Sequence, residues 1–442
     1  MTYILHRQLG QSMPVAVRGS GVWLEDGEGK RYLDAVSGGA AVSCLGHGHP
    51  RIASAIANQL DYLAYAHGSF FTSQPAEQLA TALLKDAPPS LSRVVFSSGG
   101  SESTECALKL VRQTWVERGK PEKNRIIARR QSYHGATVGA LSVSGNVGRR
   151  VTYAPMLFEV HFIDPCYSYR LKHPGETDLE YGMRAANELE RAILELGPEN
   201  VAAFIAEPIV GATLGCAPPA PGYLKRIREI CNQYEVLLIL DEIMCGAGRT
   251  GVFYACAEDE VTPDILTIAK GLGGGYQSIG ATLVAEDIVR TLENGSATLL
   301  HGFTYMGHPV ACAAALAVQE VIVEEGLLNN VRERGRQLII GLNENLKNHH
   351  NVGDVRGRGL FVGVELVADR NLKTPFSPER KLYARVKQAA LDCALMVYPG
   401  GGTVDGVNGD HVLFAPAYNV TADEIDEIVS RFTVALDKAL IQ

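Results

Sequence analysis

The sequence predicts an α/β protein with a large domain built on a mainly parallel sheet and a smaller α+β domain. Between residues 50 and 300, short apolar runs alternate with helical stretches, which is typical of a parallel sheet that helices cover on both faces. The last hundred residues return to a mixed pattern of strand and helix. The length of 442 residues also exceeds that of one minimal domain.

The individual elements follow from local patterns. Residues 15–34 alternate around a glycine-containing turn, which predicts a β-hairpin. Strands of the large sheet are predicted at 94–96, 126–128, 202–206, 236–240, 265–269 and 279–284. Residues 309–345 are expected to be helical, strands are expected at 360–366 and 412–414, and an amphipathic helix is expected after Thr421. We assign residues 51–309 to the large domain, and residues 1–50 with 310–442 to the small one.

Composition narrows the class of function. A net charge of −8 and a pI near 5.9 argue against nucleic acid as a partner, because binding along phosphates requires a basic surface. The nine cysteines are dispersed without metal-ligand spacing, so we expect reduced thiols, no metal site and a cytoplasmic location. No signal peptide is expected near His6. No run reaches the ~18 apolar residues of a membrane span.

Lys270 is the first candidate catalytic residue. It follows the apolar run 265–269 and precedes the glycine-rich residues 271–275. Burial there disfavours the ammonium form and lowers the pKa, which leaves a neutral amine able to form a Schiff base. Asp241 follows the run 236–240 in the same way. Either residue alone could equally be a helix cap or part of a surface ion pair, whereas the combination suits a pyridoxal phosphate enzyme.

Three further strand ends carry polar or aromatic residues. They are Gly100 and Ser101 after 94–96, Tyr133 and His134 after 126–128, and Glu207 after 202–206. Since ligands bind beyond the carboxyl ends of parallel strands, we expect these residues to lie beside the predicted lysine and aspartate. A glycine-rich turn that leads into a helix presents free N–H groups, which suit a phosphate.

Together these groups meet the needs of pyridoxal 5′-phosphate. Asp241 is expected to keep the pyridinium nitrogen protonated, and Lys270 to provide the amine for the aldehyde. Gly100 and Ser101 are expected to bind the phosphate. Tyr133 is expected to contact one face of the ring, and Ile243 the other.

The order and spacing of several motifs resemble the class III, ω-aminotransferase-like family of fold type I pyridoxal phosphate enzymes. The motifs are Ser98-Gly99-Gly100-Ser101-Glu102, Tyr133-His134-Gly135, Glu207-Pro208-Ile209, Asp241-Glu242-Ile243, Lys270-Gly271-Leu272-Gly273, His301-Gly302-Phe303-Thr304 and Arg356-Gly357-Arg358-Gly359. This resemblance covers most of the chain.

The resemblance implies an aminotransferase that moves an amino group from an amine or amino acid, including ω-amino compounds, to a 2-oxo acid such as pyruvate or 2-oxoglutarate. Lys270 would hold the cofactor and then act as general base and acid. The resemblance also implies a homodimer, or a dimer of dimers, in which Thr304 reaches the phosphate in the neighbouring subunit. A racemase or epimerase, a decarboxylase or a lyase with the same cofactor remains an alternative, and a non-catalytic cofactor-binding protein is a remote one.

One departure from the family pattern concerns the recognition of a substrate carboxylate. Many members that use amino acids carry an arginine for this purpose just before a Phe-Ala-Pro-Pro segment, and Leu413 stands at that place here. Glu207, which resembles the partner of that arginine, is therefore expected to have another role. Arg356, Arg358 or Arg150 could substitute, although each is more often a bracing or surface residue.

Overall fold

The computed structural model describes residues 3–9 and 12–441, and it contains three β-sheets within these residues. The predicted domain limits at residues 1 and 442 lie outside the described residues. The strands are β1 (Ala16–Ser20), β2 (Trp23–Asp26), β3 (Arg31–Asp34), β4 (Leu91–Ser97), β5 (Arg125–Arg129), β6 (His161–Ile163), β7 (Val201–Ala206), β8 (Leu237–Asp241), β9 (Ile265–Ile268), β10 (Gly280–Ala285), β11 (Val352–Arg358), β12 (Phe361–Leu366), β13 (Leu395–Met396), β14 (Tyr398–Gly401) and β15 (Asp410–Phe414).

Helices connect and cover these strands. They are α1 (Pro50–Tyr62), α2 (Gln74–Lys85), α3 (Gly100–Glu117), α4 (Val138–Val143), α5 (Val147–Arg150), α6 (Ser168–Leu171), α7 (Asp178–Leu196), α8 (Tyr223–Gln233), α9 (Glu286–Asn294), α10 (Pro309–Glu324), α11 (Leu327–Leu346), α12 (Leu382–Asp392) and α13 (Ala422–Ile441). In the part of the chain that the structure describes, no helix combines the length and the apolar character needed to cross a membrane.

The large sheet has seven strands in the order β4-β10-β9-β8-β7-β5-β6. The strands β6, β5, β7, β8 and β9 are parallel, and only β10 runs antiparallel to its neighbours β9 and β4. Every residue of β7 and β8 is buried, because helices cover both faces, and this explains their continuous apolar sequences. The predicted α/β fold with a mainly parallel sheet is confirmed.

Of the two four-stranded sheets, one combines N-terminal and C-terminal strands and the other contains C-terminal strands alone. In the order β1-β2-β3-β13, Leu395 of β13 pairs with Leu33 of β3 in parallel. The predicted hairpin at 15–34 is therefore part of a larger sheet. The second sheet has the order β11-β12-β15-β14.

The buried apolar residues form two large clusters that follow the same division. One cluster contains residues from 22–52 and from 314–439, including Leu33 and Phe432. The other contains residues from 76–315, including Phe204 of the large sheet. The helix predicted at 309–345 is in fact two helices, α10 and α11. They are separated at Gly326, whose φ of 61° is left-handed and interrupts the helical geometry.

Candidate active site

A cavity of about 360 Å³ lies at the carboxyl ends of β4, β5, β7, β8 and β9. This is the edge at which ligands bind in open parallel sheets. Eight of the nine predicted site residues line the cavity, and only Thr304 does not. The eight are Gly100, Ser101, Tyr133, His134, Glu207, Asp241, Ile243 and Lys270.

The N-terminus of α3 forms one wall of the cavity. Gly100 begins this 18-residue helix, so its first N–H groups and the positive end of the helix dipole are available to an anion. The Ser101 Oγ accepts a hydrogen bond of 3.0 Å from the Ala136 N–H, which links the turn to the segment after β5. A Cβ atom on Gly100 would lie 2.9 Å from the Ile243 side chain. An alanine at this position would therefore require the Ile243 side chain to shift.

Asp241 is held in place by two hydrogen bonds at the floor of the cavity. Its Oδ2 lies 2.7 Å from the Nδ1 of His134, and its Oδ1 accepts a bond of 3.0 Å from the Ile243 N–H. Both Asp241 and His134 are buried. The backbone of His134 is held by Ser144, whose Oγ accepts a hydrogen bond of 2.8 Å from the His134 backbone N–H. These bonds stabilise the carboxylate and fix its orientation.

Lys270 follows β9 with a φ of 49°, a left-handed conformation that is uncommon for a lysine and is often found at functional sites. Its carbonyl accepts the N–H groups of Gly273 and Gly274 at 3.2 and 3.0 Å. Burial lowers the pKa of the Lys270 amine to about 8, although the carboxylates of Asp241 and Glu207 partly oppose this change. A substantial neutral fraction at mildly alkaline pH suits a nucleophile.

Glu207 presents a buried carboxyl to the same cavity. Its Oε2 has no hydrogen-bond partner among the described residues. Burial raises the pKa of this carboxyl to about 7, and the nearby Asp241 contributes in the same direction, against the lowering effects of His134 and Arg129. Glu207 therefore titrates near neutrality, unlike an ordinary glutamate.

The second acid of the Asp-Glu pair has a structural role. The carboxylate of Glu242 is buried and accepts the N–H groups of Ala255 and Cys256 at 2.6 and 2.8 Å. It therefore braces the segment that follows β8. Leu413, at the place of the family arginine, is buried in β15 and packs in a cluster with Met244.

Sequence reasoning missed Gln277 and Ser278, which also line the cavity. They precede β10, whose antiparallel direction places its N-terminal end at the edge where the other strands end. The prediction considered only residues that follow apolar runs, so it could not include them. To include Gln277 and Ser278, the prediction would have needed the direction of β10, which the residues themselves do not indicate.

Thr304 lies outside the cavity of its own chain and is exposed. Its carbonyl accepts a hydrogen bond of 2.6 Å from the Tyr65 hydroxyl. Tyr65 also contacts the ring of Tyr305, with centroids 5.8 Å apart. The predicted role of Thr304 at a neighbouring subunit stays a prediction.

Comparison with known proteins identifies the family. The model of the family "Aminotransferase class-III" matches residues 5–436. The chain belongs to the class-III aminotransferases. The enzyme is thus a transaminase, as predicted, and its family implies pyridoxal phosphate as cofactor and amine and keto acid substrates.

Relatives and solved structures agree with this assignment. An uncharacterized aminotransferase of Schizosaccharomyces pombe is 44% identical over 428 residues, which cover 97% of this chain and 93% of that protein. The taurine–pyruvate aminotransferase of Rhodobacter capsulatus is 36% identical over 439 residues, which cover 98% of this chain and 93% of that protein.

Among solved structures, an (S)-enantioselective omega-transaminase from Thermomicrobium roseum has a TM-score of 0.91 at 37% identity and covers 97% of this chain and 93% of its own. The omega transaminase from Pseudomonas jessenii in complex with PMP has a TM-score of 0.92 at 33% identity. The match covers 100% of this chain and 96% of that one.

Proposed function

We propose that the enzyme binds pyridoxal 5′-phosphate in the 360 Å³ cavity and transfers an amino group from an amine or amino acid, including ω-amino compounds, to a 2-oxo acid such as pyruvate or 2-oxoglutarate. The observation that carries the proposal is the convergence of Lys270, Asp241 and the α3 N-terminus on one cavity. The related structure in complex with PMP supports this choice of cofactor. When bound, the cofactor supplies an aldehyde and an electron-accepting ring.

The residues present fit this group. The glycine turn at Gly100 leaves room that a side chain would fill, and its free N–H groups suit the phosphate. Tyr133 and Ile243 line the cavity and would contact the two faces of the ring. Asp241, held by His134, would keep the proton on the ring nitrogen.

Lys270 would act twice in the reaction. Its neutral Nζ would hold the cofactor through the aldehyde and would be freed when the amine of the donor takes its place. The freed Nζ would accept the proton from the amine-bearing carbon of the donor as general base and give it up to the cofactor as general acid within the same half-reaction, and the keto acid would react by the reverse sequence. With a pKa of about 8, the amine would both accept and donate a proton efficiently at neutral to mildly alkaline pH.

We also propose a homodimer, or a dimer of dimers, in which Thr304 contacts the phosphate bound by the neighbouring subunit. Support comes from large exposed apolar residues at Tyr305, next to Thr304, and in the segment 62–71, whose Tyr65 bonds Thr304; those in the segment include Tyr62, Phe70 and Phe71. Contiguous exposed apolar surface is typical of a protein interface. A single species of one-chain mass in sedimentation experiments would contradict the proposal.

Two further proposals concern organisation and location. We retain residues 51–309 as the cofactor domain, and residues 1–50 with 310–442 as the small domain, because the two main apolar clusters follow this division. A cytoplasmic location is supported by nine free cysteines, since unpaired thiols are typical of reducing compartments.

Absorbance spectroscopy tests the cofactor proposal. Purified protein with added pyridoxal phosphate should show a band near ~400–430 nm, and borohydride should then attach the cofactor to the peptide that contains Lys270. Lys270→Ala should abolish both results, whereas the exposed control Lys109→Ala should retain them. An amino donor should remove the band, and a 2-oxo acid should restore it. A protein that stays colourless with the cofactor would contradict the proposal.

A further inference from the structure

Apart from Lys270 and His134, the described residues of the chain bring no basic side chain to the lining of the catalytic cavity. Its ionisable lining residues are Tyr133, His134, Glu207, Asp241 and Lys270. The lysine is required for the cofactor, and His134 is paired with Asp241. An anionic group placed beside Asp241 and Glu207 would meet negative charge without compensation. Leu413 supplies no guanidinium at the position that the family pattern uses. A carboxylate directly attached to the reacting carbon therefore has no partner of opposite charge here.

The arginines that could replace the missing one are already engaged in the fold. Arg356 forms ion pairs of 2.8 Å with Glu365 and 2.9 Å with Asp354. Arg358 pairs with Asp259 at 2.8 Å. The others donate to backbone carbonyls: Arg150 to Leu141 and Ser144, Arg249 to Leu360 and Pro416, and Arg129 to Glu207. Moving any of them would leave buried acceptors or carboxylates unpaired, which is costly.

Arg149 differs from all of these. Its guanidinium carbon lies 4.6 Å from the centroid of the Tyr133 ring, and its side chain forms no ion pair with any residue that the structure describes. Arg149 is exposed, so little is lost when it moves. It lines a second cavity of about 440 Å³, together with Lys381, Tyr383 and Tyr398.

The contact between Tyr133 and Arg149 relates the two cavities, because Tyr133 lines the catalytic cavity and Arg149 lines the second one. Arg149 also contributes to the lowered pKa of Lys270, so its charge is sensed at the reacting amine. An anionic group would have to extend from the reacting carbon past Tyr133 to meet this guanidinium. A spacer is therefore required between the amine-bearing carbon and the anion.

We infer that Arg149 is a specificity-determining residue, which binds the anionic group of donors whose carboxylate or sulfonate is separated from the amine-bearing carbon by a spacer. The inference rests on the proposed function. A guanidinium that stacks on an aromatic ring keeps its N–H groups free for a bidentate bond to an oxyanion. Donors without an anion leave Arg149 on Tyr133, so both kinds of amine are accepted.

The test compares matched donors on the holoenzyme. 4-Aminobutanoate and 6-aminohexanoate are paired with butylamine and hexylamine, and loss of the cofactor band is followed in single turnovers. Arg149→Gln should lower kcat/KM for the amino acids by roughly ten- to a hundredfold through KM, as expected for a charged hydrogen bond. The alkylamines should show only the small change that follows from a higher pKa of Lys270. Arg149→Lys should recover part of the loss, because it restores the charge without the bidentate geometry.

Controls separate this role from a structural one. Arg130→Gln removes another exposed arginine, which pairs with Asp164, and it should leave all four donors unaffected. Binding of hexanoate, which cannot react, should weaken in Arg149→Gln when it is measured by calorimetry. Equal losses for amino acids and alkylamines, or unchanged kinetics for both, would overturn the inference. If wild-type enzyme reacts with none of the four donors although it binds the cofactor, the proposed function fails instead.

Discussion

The neutral fraction of Lys270 should control how fast the apoenzyme captures its cofactor. Only the neutral amine attacks an aldehyde, and burial lowers the pKa of Lys270 to about 8. At pH 8, roughly half of the Lys270 side chains are then neutral, compared with roughly 0.3% for a lysine of ordinary pKa. The structure thus predicts a reactive fraction that is more than about a hundredfold larger.

Stopped-flow absorbance measures this effect directly. Apoenzyme is mixed with pyridoxal phosphate between pH 6 and 10.5, and the rate of appearance of the visible band is recorded. The rate should rise through pH about 8 and level off above it. Glu207→Gln should move the midpoint to lower pH, because the Glu207 carboxylate raises the pKa of Lys270.

A distant carboxylate provides the control. Glu235 is exposed and pairs with Lys120, so Glu235→Gln should leave the midpoint unchanged. A midpoint near the ordinary lysine value, or a midpoint that rises in Glu207→Gln, would refute the reasoning that burial and these carboxylates set the reactivity of Lys270.

Three other predictions concern the same cavity. Gly100→Ala should weaken cofactor binding by roughly tenfold, since its Cβ would lie 2.9 Å from Ile243; equilibrium dialysis should show partial recovery with added Ile243→Ala. His134→Phe removes the 2.7 Å contact with Asp241 and should raise the cofactor Kd roughly ten- to a hundredfold, whereas His134→Gln, which retains a donor, should do so less. Glu207→Gln should raise the Tm of the apoenzyme at pH 8 but not at pH 4.5. The pKa of Glu207 is about 7 in the folded protein, above its value in the unfolded chain, so the wild type loses stability as the pH rises between these two values.

Burial on both faces made the large sheet predictable. The strands β7 and β8 are apolar throughout, so their positions and approximate ends could be inferred from the sequence. The edge strand β6 has only three residues, two of which are partly exposed, and was not predicted. Its position depends on pairing with β5, which no local pattern specifies.

The site was predictable where chemistry follows directly from a strand end. Lys270 and Asp241 each come at such an end, so the parallel topology alone brings them to one edge. The contact between His134 and Asp241 joins residues 107 positions apart, and no spacing rule indicates it. Likewise, Arg149 gave no local signal, because its significance arises from stacking on Tyr133 and from the internal partners of the other arginines.

The two carboxyl groups of the cavity illustrate how environment separates the roles of similar residues. Asp241 accepts hydrogen bonds from His134 and from the Ile243 N–H, and both stabilise its anion. Glu207 keeps one oxygen without a donor, so burial favours its neutral form. The better-hydrogen-bonded carboxylate is thus that of Asp241, which would face the ring nitrogen of the cofactor. Glu207 is charged only above pH about 7, where its carboxylate raises the pKa of Lys270.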